Sequence, residues 1–283
     1  MEAIKSLLHS RVRNQISNII LFGSMISITA FGLILGMLAG VTALGHAPSL
    51  PPALKLFSIL AFTIGGFSTG VFFSIAVSPM ILRYAFFAKK VGRWNNVDVY
   101  RAADEDLPGK TANVFIAGFS FGIGPLKPAI FVAESATRIL SRTAMEAVFA
   151  HEMSHLRCQH LLKRTLKGIG AFLVGSLLTS VTLLGLHWSG YTELGGFFSI
   201  IAGIVPAALT WLTIRSLAWD QELEADAYAL THFNILPESL LEALRVLQKA
   251  ATGTRRVETH PLVAARIEIL KNKYTDGTLS NAA

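Results

Sequence analysis

The sequence predicts a mainly α-helical membrane protein, with four transmembrane helices in two hairpins interleaved with an α+β part that carries a small β-sheet. Three observations lead there. Hydrophobic residues make up 52% of the 283 positions and charged residues 15%, well below the usual quarter of a soluble globular protein. Four runs lack Asp, Glu, Lys and Arg altogether, each long enough for a bilayer core of ~30 Å. The polar stretches between and after them alternate between strand-like and helical patterning.

The first run, 19–44, lies inside an interval between Arg13 and Lys55 that contains no charge. It exceeds the ~7–15 apolar residues of a secretory signal, so an uncleaved anchor is expected rather than a removed leader. The second, 56–82, has Pro79 near its end. The third and fourth, 168–192 and 194–214, are rich in Gly, Ala, Ser and Thr, which let helices approach closely in lipid. Buried helices of a soluble protein are the alternative, and four such lengths in one chain count against it. The chain then divides into an N-terminal segment with the first hairpin (1–82), a polar part (83–167), a second hairpin (168–214) and a second polar part (215–283).

Lysine and arginine placement orients these spans. Lys5, Arg11 and Arg13 precede the first; Arg83, Lys89, Lys90 and Arg93 follow the second; Lys163, Arg164 and Lys167 precede the third; Arg215 follows the fourth. The short connections 46–53 and 187–193 have neither residue type. By the positive-inside rule both termini and both polar parts face the cytoplasm, as in a multi-pass protein of the inner (plasma) membrane. The same distribution explains the net charge of +7 without nucleic acid, because the basic residues flank apolar runs instead of forming one stripe. A single cysteine, Cys158, excludes an internal disulfide framework and a multi-cysteine zinc site.

Within the first polar part, 97–102, 113–118 and 128–133 read as short strands. A helix is expected from 144 to 162, uninterrupted by Pro or Gly, with Thr143 and Glu146 spaced as a capping box. After Arg215 the pattern is helical to about Phe233. A second helix follows Pro237, a third begins near Pro261, and 275–283 reads as a frayed tail.

The chemistry is carried by His151-Glu152-Met153-Ser154-His155. Residues four apart share one helical face, so both imidazoles can reach one metal ion. Zinc accepts neutral imidazole nitrogen, and a catalytic site takes three protein ligands. Glu152 stands about 100° round the helix from His151, beside the ion but not on it, where it can take a proton from an attacking water. Downstream, Glu222-Leu223-Glu224-Ala225-Asp226 places two carboxylates at i and i+4. Glu222 is the expected third ligand, and Asp226 the acceptor for the far nitrogen of a ligand histidine. Glu224 points about 200° away from Glu222, toward solvent or a surface cation. An exposed acidic helix face is the plainer reading of these carboxylates taken alone. Pairing with the histidine motif reverses that balance.

The pattern HEMSH, a membrane hairpin, then ELEAD resembles the family of membrane zinc endopeptidases that includes the HtpX and CAAX prenyl endopeptidases. Asn113-Val114-Phe115 is similar to that family's N-A-F, and Thr259-His260-Pro261-Leu262 to its T-H-P-P. The likeness covers roughly 97–270, with the order of spans closest to HtpX. It implies a gluzincin-type α+β metalloprotease domain holding one Zn2+ per chain on His151, His155 and Glu222, with Glu152 as base and Asp226 behind the ligands. It also implies polypeptide substrates, membrane proteins among them, and a place in protein quality control. Val114, Leu262 and Ala218-Trp219 depart from the family's usual residues, which bears on substrate preference and not on the metal.

Asn113, Val114 and Phe115 are therefore candidates for an edge strand to which an extended peptide adds, or simply for a strand. His260 is a candidate for substrate or oxyanion contact, or else an exposed residue ahead of a helix begun by proline. His160 lies about 180° round a continuous helix from His151 and should not be a ligand, whereas Cys158 falls on the metal face as a packing residue. Two competing readings stand beside the protease. An intramembrane enzyme would bury the histidine motif in an apolar span, but charged residues surround it. A non-enzymatic, zinc-stabilised scaffold has no use for Glu152.

Overall fold

The computed structural model describes residues 2–46, 49, 51–107, 113–190, 195–251 and 263–274. Two long helices, α1 (Glu2–Gly45) and α2 (Pro52–Ala85), form an antiparallel hairpin. Pro52 opens α2, where a missing N–H costs nothing. The two helices meet through small residues: a Cβ added to Gly32, Gly36 or Gly66 would run into the opposing backbone, such as Phe62 O or Gly66 O. That close approach substitutes for the hydrophobic driving force that lipid does not supply.

A four-stranded sheet follows, in the order β1-β2-β4-β3, with β1 (Lys89–Trp94), β2 (Val97–Ala102), β3 (Val114–Ala117) and β4 (Ala129–Ala133). β1 and β2 turn on Asn95 and Asn96, both at positive φ (43 and 67), the backbone a two-residue hairpin needs. β2 pairs parallel with β4, while β3 pairs antiparallel with β4 and forms one edge. All five residues of β4 are buried, as a central strand covered on both faces requires. Ile130, Phe131 and Val132 pack there with Phe86, just past α2, and with Ala144, Val148 and Met153 of the helix laid across the sheet.

α3 (Glu134–Ile139) leads into that helix, α4 (Arg142–Arg157), and the second hairpin follows as α5 (His160–Trp188) and α6 (Gly195–His232). Gly175 brings α5 so close to α6 that a Cβ there would lie 2.7 Å from Pro206 Cα. α6 is one helix that starts in the hairpin and runs on through Glu222 and Asp226. α7 (Pro237–Ala251) and α8 (Val263–Tyr274) complete the order, packing Leu240, Leu241, Leu244 and Leu270 against Ala147 and Leu230.

Among the described residues three helices are long and apolar enough to cross a membrane: Gly23–Gly45, Ala61–Ala85 and His160–Leu183. The third begins earlier than the charge-free run at 168. The expected fourth span, 194–214, falls partly outside the described residues and is not among the three. Strand β1 was not anticipated, and two further expectations need correction. The capping box at Thr143 and Glu146 does not form: Ser141 caps α4, its Oγ accepting from Ala144 N at 3.1 Å, while Glu146 pairs with Arg142. The helix expected to reach 162 ends at Arg157, because Gln159 takes a left-handed φ of 55 and its N–H bonds Leu156 O. The tail 275–283 lies outside the described residues.

Candidate metal centre

α4 and α6 cross in contact, and alanines make that possible: Ala147 and Ala150 on one helix and Ala225 and Ala229 on the other are all fully buried. One turn of α4 separates His151 from His155, and α6 brings Glu222 against both. Nε2 of His151 and Nε2 of His155 lie 3.1 Å apart. Glu222 Oε2 is 3.4 Å from the first, and Glu222 Oε1 3.5 Å from the second. Three donors around one tetrahedral zinc, at bond lengths of ~2.0–2.2 Å, stand about 3.3 Å from one another. The residues therefore fit the ion in both chemistry and spacing, and they are one of two described groups with metal-ligand chemistry whose donor atoms lie within 4.8 Å.

Behind these donors, Asp226 Oδ1 lies 2.8 Å from His151 Nδ1, which fixes that ring with Nε2 toward the centre. Arg266 of α8 holds both carboxylates. Its Nε and Nη2 donate to Asp226 at 2.9 and 2.6 Å, and its Nη1 donates to Glu222 Oε2 at 2.9 Å. Leu270, one turn on, docks the helix in the apolar cluster and so aims the guanidinium inward. Burial alone would lower the His151 pKa, but Asp226 and Glu222 outweigh it and hold the imidazole up to about 10. His155 is pushed the other way, below the usual histidine range, by burial and by the charge on His151.

Glu152 sits beside the donors without joining them. Its Oε2 accepts from Ile116 N on β3 at 3.0 Å. Burial, with repulsion from Glu222 opposed by His151, raises its pKa to about 7. That is the range in which a carboxylate can both take and return a proton near neutrality.

β3 supplies more than that one bond. Ala133 N donates to Asn113 O at 2.8 Å. By the alternation of an antiparallel ladder, the main-chain groups of Asn113 and Phe115 therefore face β4, and those of Val114 and Ile116 face the open edge beside α4. Val114 is buried, while Asn113 and Phe115 are half-buried. His260 lies outside the described residues. Cys158 is not with the three donors. It groups with His160 and Glu224 beyond the helix break. Sequence reasoning missed Arg266 altogether. Its one signal is an arginine a turn before an apolar position of an otherwise ordinary helix.

Known proteins resemble this chain in sequence and in fold. The model of peptidase family M48 matches residues 103–274. Among curated relatives, a "Protease HtpX homolog" of Campylobacter hominis is 28% identical over 135 residues, 47% of each chain. Another, of Burkholderia mallei, is 27% identical over 169 residues, covering 58% of this chain and 57% of that one. The chain thus spans about half the length of the curated relatives it matches. Among solved structures, the crystal structure of S. mikatae Ste24p superimposes with a TM-score of 0.52 at 14% identity, over 94% of this chain and 66% of that one, a likeness of fold.

Proposed function

The chain belongs to peptidase family M48, and from that premise we propose that it is an integral-membrane zinc metalloendopeptidase of the gluzincin type. One observation carries the reading: His151, His155 and Glu222 converge with zinc-like spacing while the half-buried carboxylate of Glu152 stands next to them, outside the ligand set. Zinc, when bound, supplies a Lewis acid that polarises a peptide carbonyl and makes water more acidic. The chain's own groups do the rest. Glu152 takes the proton of the attacking water and passes it to the leaving amine, a shuttle suited to its raised pKa. Asp226 keeps His151 in the tautomer that leaves Nε2 free to bind.

An extended substrate adds to the outer edge of β3, exchanging main-chain hydrogen bonds with Val114, while the Ile116 N–H stays with Glu152. Asn113, Val114 and Phe115 set that strand, and His260 is proposed to approach the substrate from the segment before α8. Glu222 stands eight residues beyond Ile214, about 12 Å along α6 from the end of the apolar run. That supports a site just outside the bilayer, at the cytoplasmic face by the Lys/Arg bias, acting on membrane or membrane-proximal proteins. A role in protein quality control rests on the resemblance to HtpX-type enzymes.

Casein hydrolysis by the detergent-solubilised protein tests the reading. A strong chelator should abolish cleavage and added Zn2+ should restore it. Cleavage indifferent to chelation would remove the metalloprotease assignment.

A further inference from the structure

His151 has a carboxylate directly behind it, whereas His155 has another histidine. Its Nδ1 lies 2.7 Å from His160 Nδ1, with the rings 4.9 Å apart and steeply inclined. On an unbroken helix the two could not meet. The left-handed turn at Gln159 swings the start of α5 back onto the end of α4. His160 is 1% exposed, and it is held from the other side as well: Gln221 Nε2 donates to His160 O at 3.3 Å, and Arg164 fixes Gln221 Oε1 through two donors. Its remaining nitrogen, Nε2, points to Glu224, 3.1 Å from Oε2 though off the line of a linear hydrogen bond. Glu224 is half-exposed, with Lys163 at 3.8 Å from its other oxygen.

The proton arrangement follows from one constraint. A nitrogen that gives its lone pair to a cation carries no hydrogen. If Nε2 of His155 binds zinc, its hydrogen is on Nδ1. Two N–H groups cannot face each other at 2.7 Å, so His160 Nδ1 must accept, which leaves the His160 hydrogen on Nε2, facing the Glu224 carboxylate. We infer that His160 is a positioning residue for the metal centre, holding His155 in its zinc-binding tautomer and orientation, with Glu224 as the carboxylate that polarises His160. Each ligand imidazole then ends on a carboxylate, His151 directly at Asp226 and His155 through His160 at Glu224. This inference rests on the zinc reading above. It also gives Glu224 a task that helix geometry alone did not. The residue does turn away from the ion, but toward the support of a ligand.

Cys158, His160 and Glu224 also lie close enough to one another to suggest a second metal site. The proton constraint argues against it, because a His160 whose Nε2 carries hydrogen cannot ligate.

The test is retention of Zn2+ against a chromophoric chelator, followed on the purified full-length protein in detergent, with metal-free melting as a control for folding. His160→Leu removes the acceptor and should weaken zinc retention by roughly 10–100-fold. His160→Asn keeps an acceptor oxygen and should recover most of that loss. Glu224→Gln, on a half-exposed side chain that leaves the fold intact, should weaken retention in the same direction by less. Wild-type retention in both His160→Leu and Glu224→Gln would overturn the inference. So would a second equivalent of zinc that disappears in Cys158→Ser, since His160 would then be a ligand itself. A wild-type protein that takes up no zinc would sink the metalloprotease reading and this inference with it, whereas wild-type zinc uptake with unaffected variants would sink the inference alone.

Discussion

Replacing Arg266 by methionine removes the cation that holds two buried carboxylates while roughly keeping its volume. Glu222 and Asp226 are 5% and 1% exposed, and Arg266 is 6% exposed, so water cannot take over the lost hydrogen bonds. Breaking a buried pair by deleting one partner costs about 3–5 kcal/mol. In a chain of this size each kcal/mol shifts the melting temperature by about 2–4 °C, so metal-free Arg266→Met should melt roughly 6–20 °C below wild type. His151, held protonated beside Asp226, shields one carboxylate and places the expected fall toward the lower half of that range. Zinc should recover part of the loss, because a cation at Glu222 replaces some of the missing charge. The coupling is also measurable: Asp226→Asn added to Arg266→Met should cost less than the two changes summed, since it neutralises the stranded charge. The assay is thermal unfolding in detergent, with and without zinc. Metal-free Arg266→Met melting within about 2 °C of wild type would refute the electrostatic account of α8 docking.

Zinc uptake should be coupled to proton release. His151 is raised to about 10 in the metal-free protein, so it is protonated at neutral pH and must lose that proton to bind. Apparent zinc affinity should therefore rise about tenfold per pH unit between roughly pH 7 and 9, and a flat profile in a competition titration would contradict that state of His151. Topology is open to labelling: a cysteine at His46 should react with an impermeant thiol reagent outside intact cells and one at Ser280 should not. Labelling at Ser280 alone would invert the orientation.

Much of this was legible in the sequence because its signals are local. The strand at 97–102 was placed to the residue: Val97 and Val99 alternate into the core, and buried Ala102 closes the strand. The site motif was readable because both of its halves are helical i, i+4 pairs. β1 was not, since Lys89-Lys90-Val91-Gly92-Arg93-Trp94 is mostly exposed and shows no alternation. Its signal was the Asn95-Asn96 pair, a two-residue hairpin turn. The end of α4 was missed because a glutamine, and neither glycine nor proline, takes the left-handed conformation at 159, and with it went the contact between His155 and His160. Arg266 lies 40 residues from Asp226 and 115 from His151. No periodicity reports a contact made by docking a separate helix.

The central claim is a zinc centre on His151, His155 and Glu222 served by Glu152. Zinc content by elemental analysis and casein cleavage, measured together on wild type, Glu222→Ala and Glu152→Gln, test it most directly. Wild type should hold about one zinc per chain and cleave. Glu152→Gln should keep the zinc and lose nearly all turnover, and Glu222→Ala should lose both. Full zinc and activity in Glu222→Ala, or undiminished cleavage by Glu152→Gln, would contradict the account.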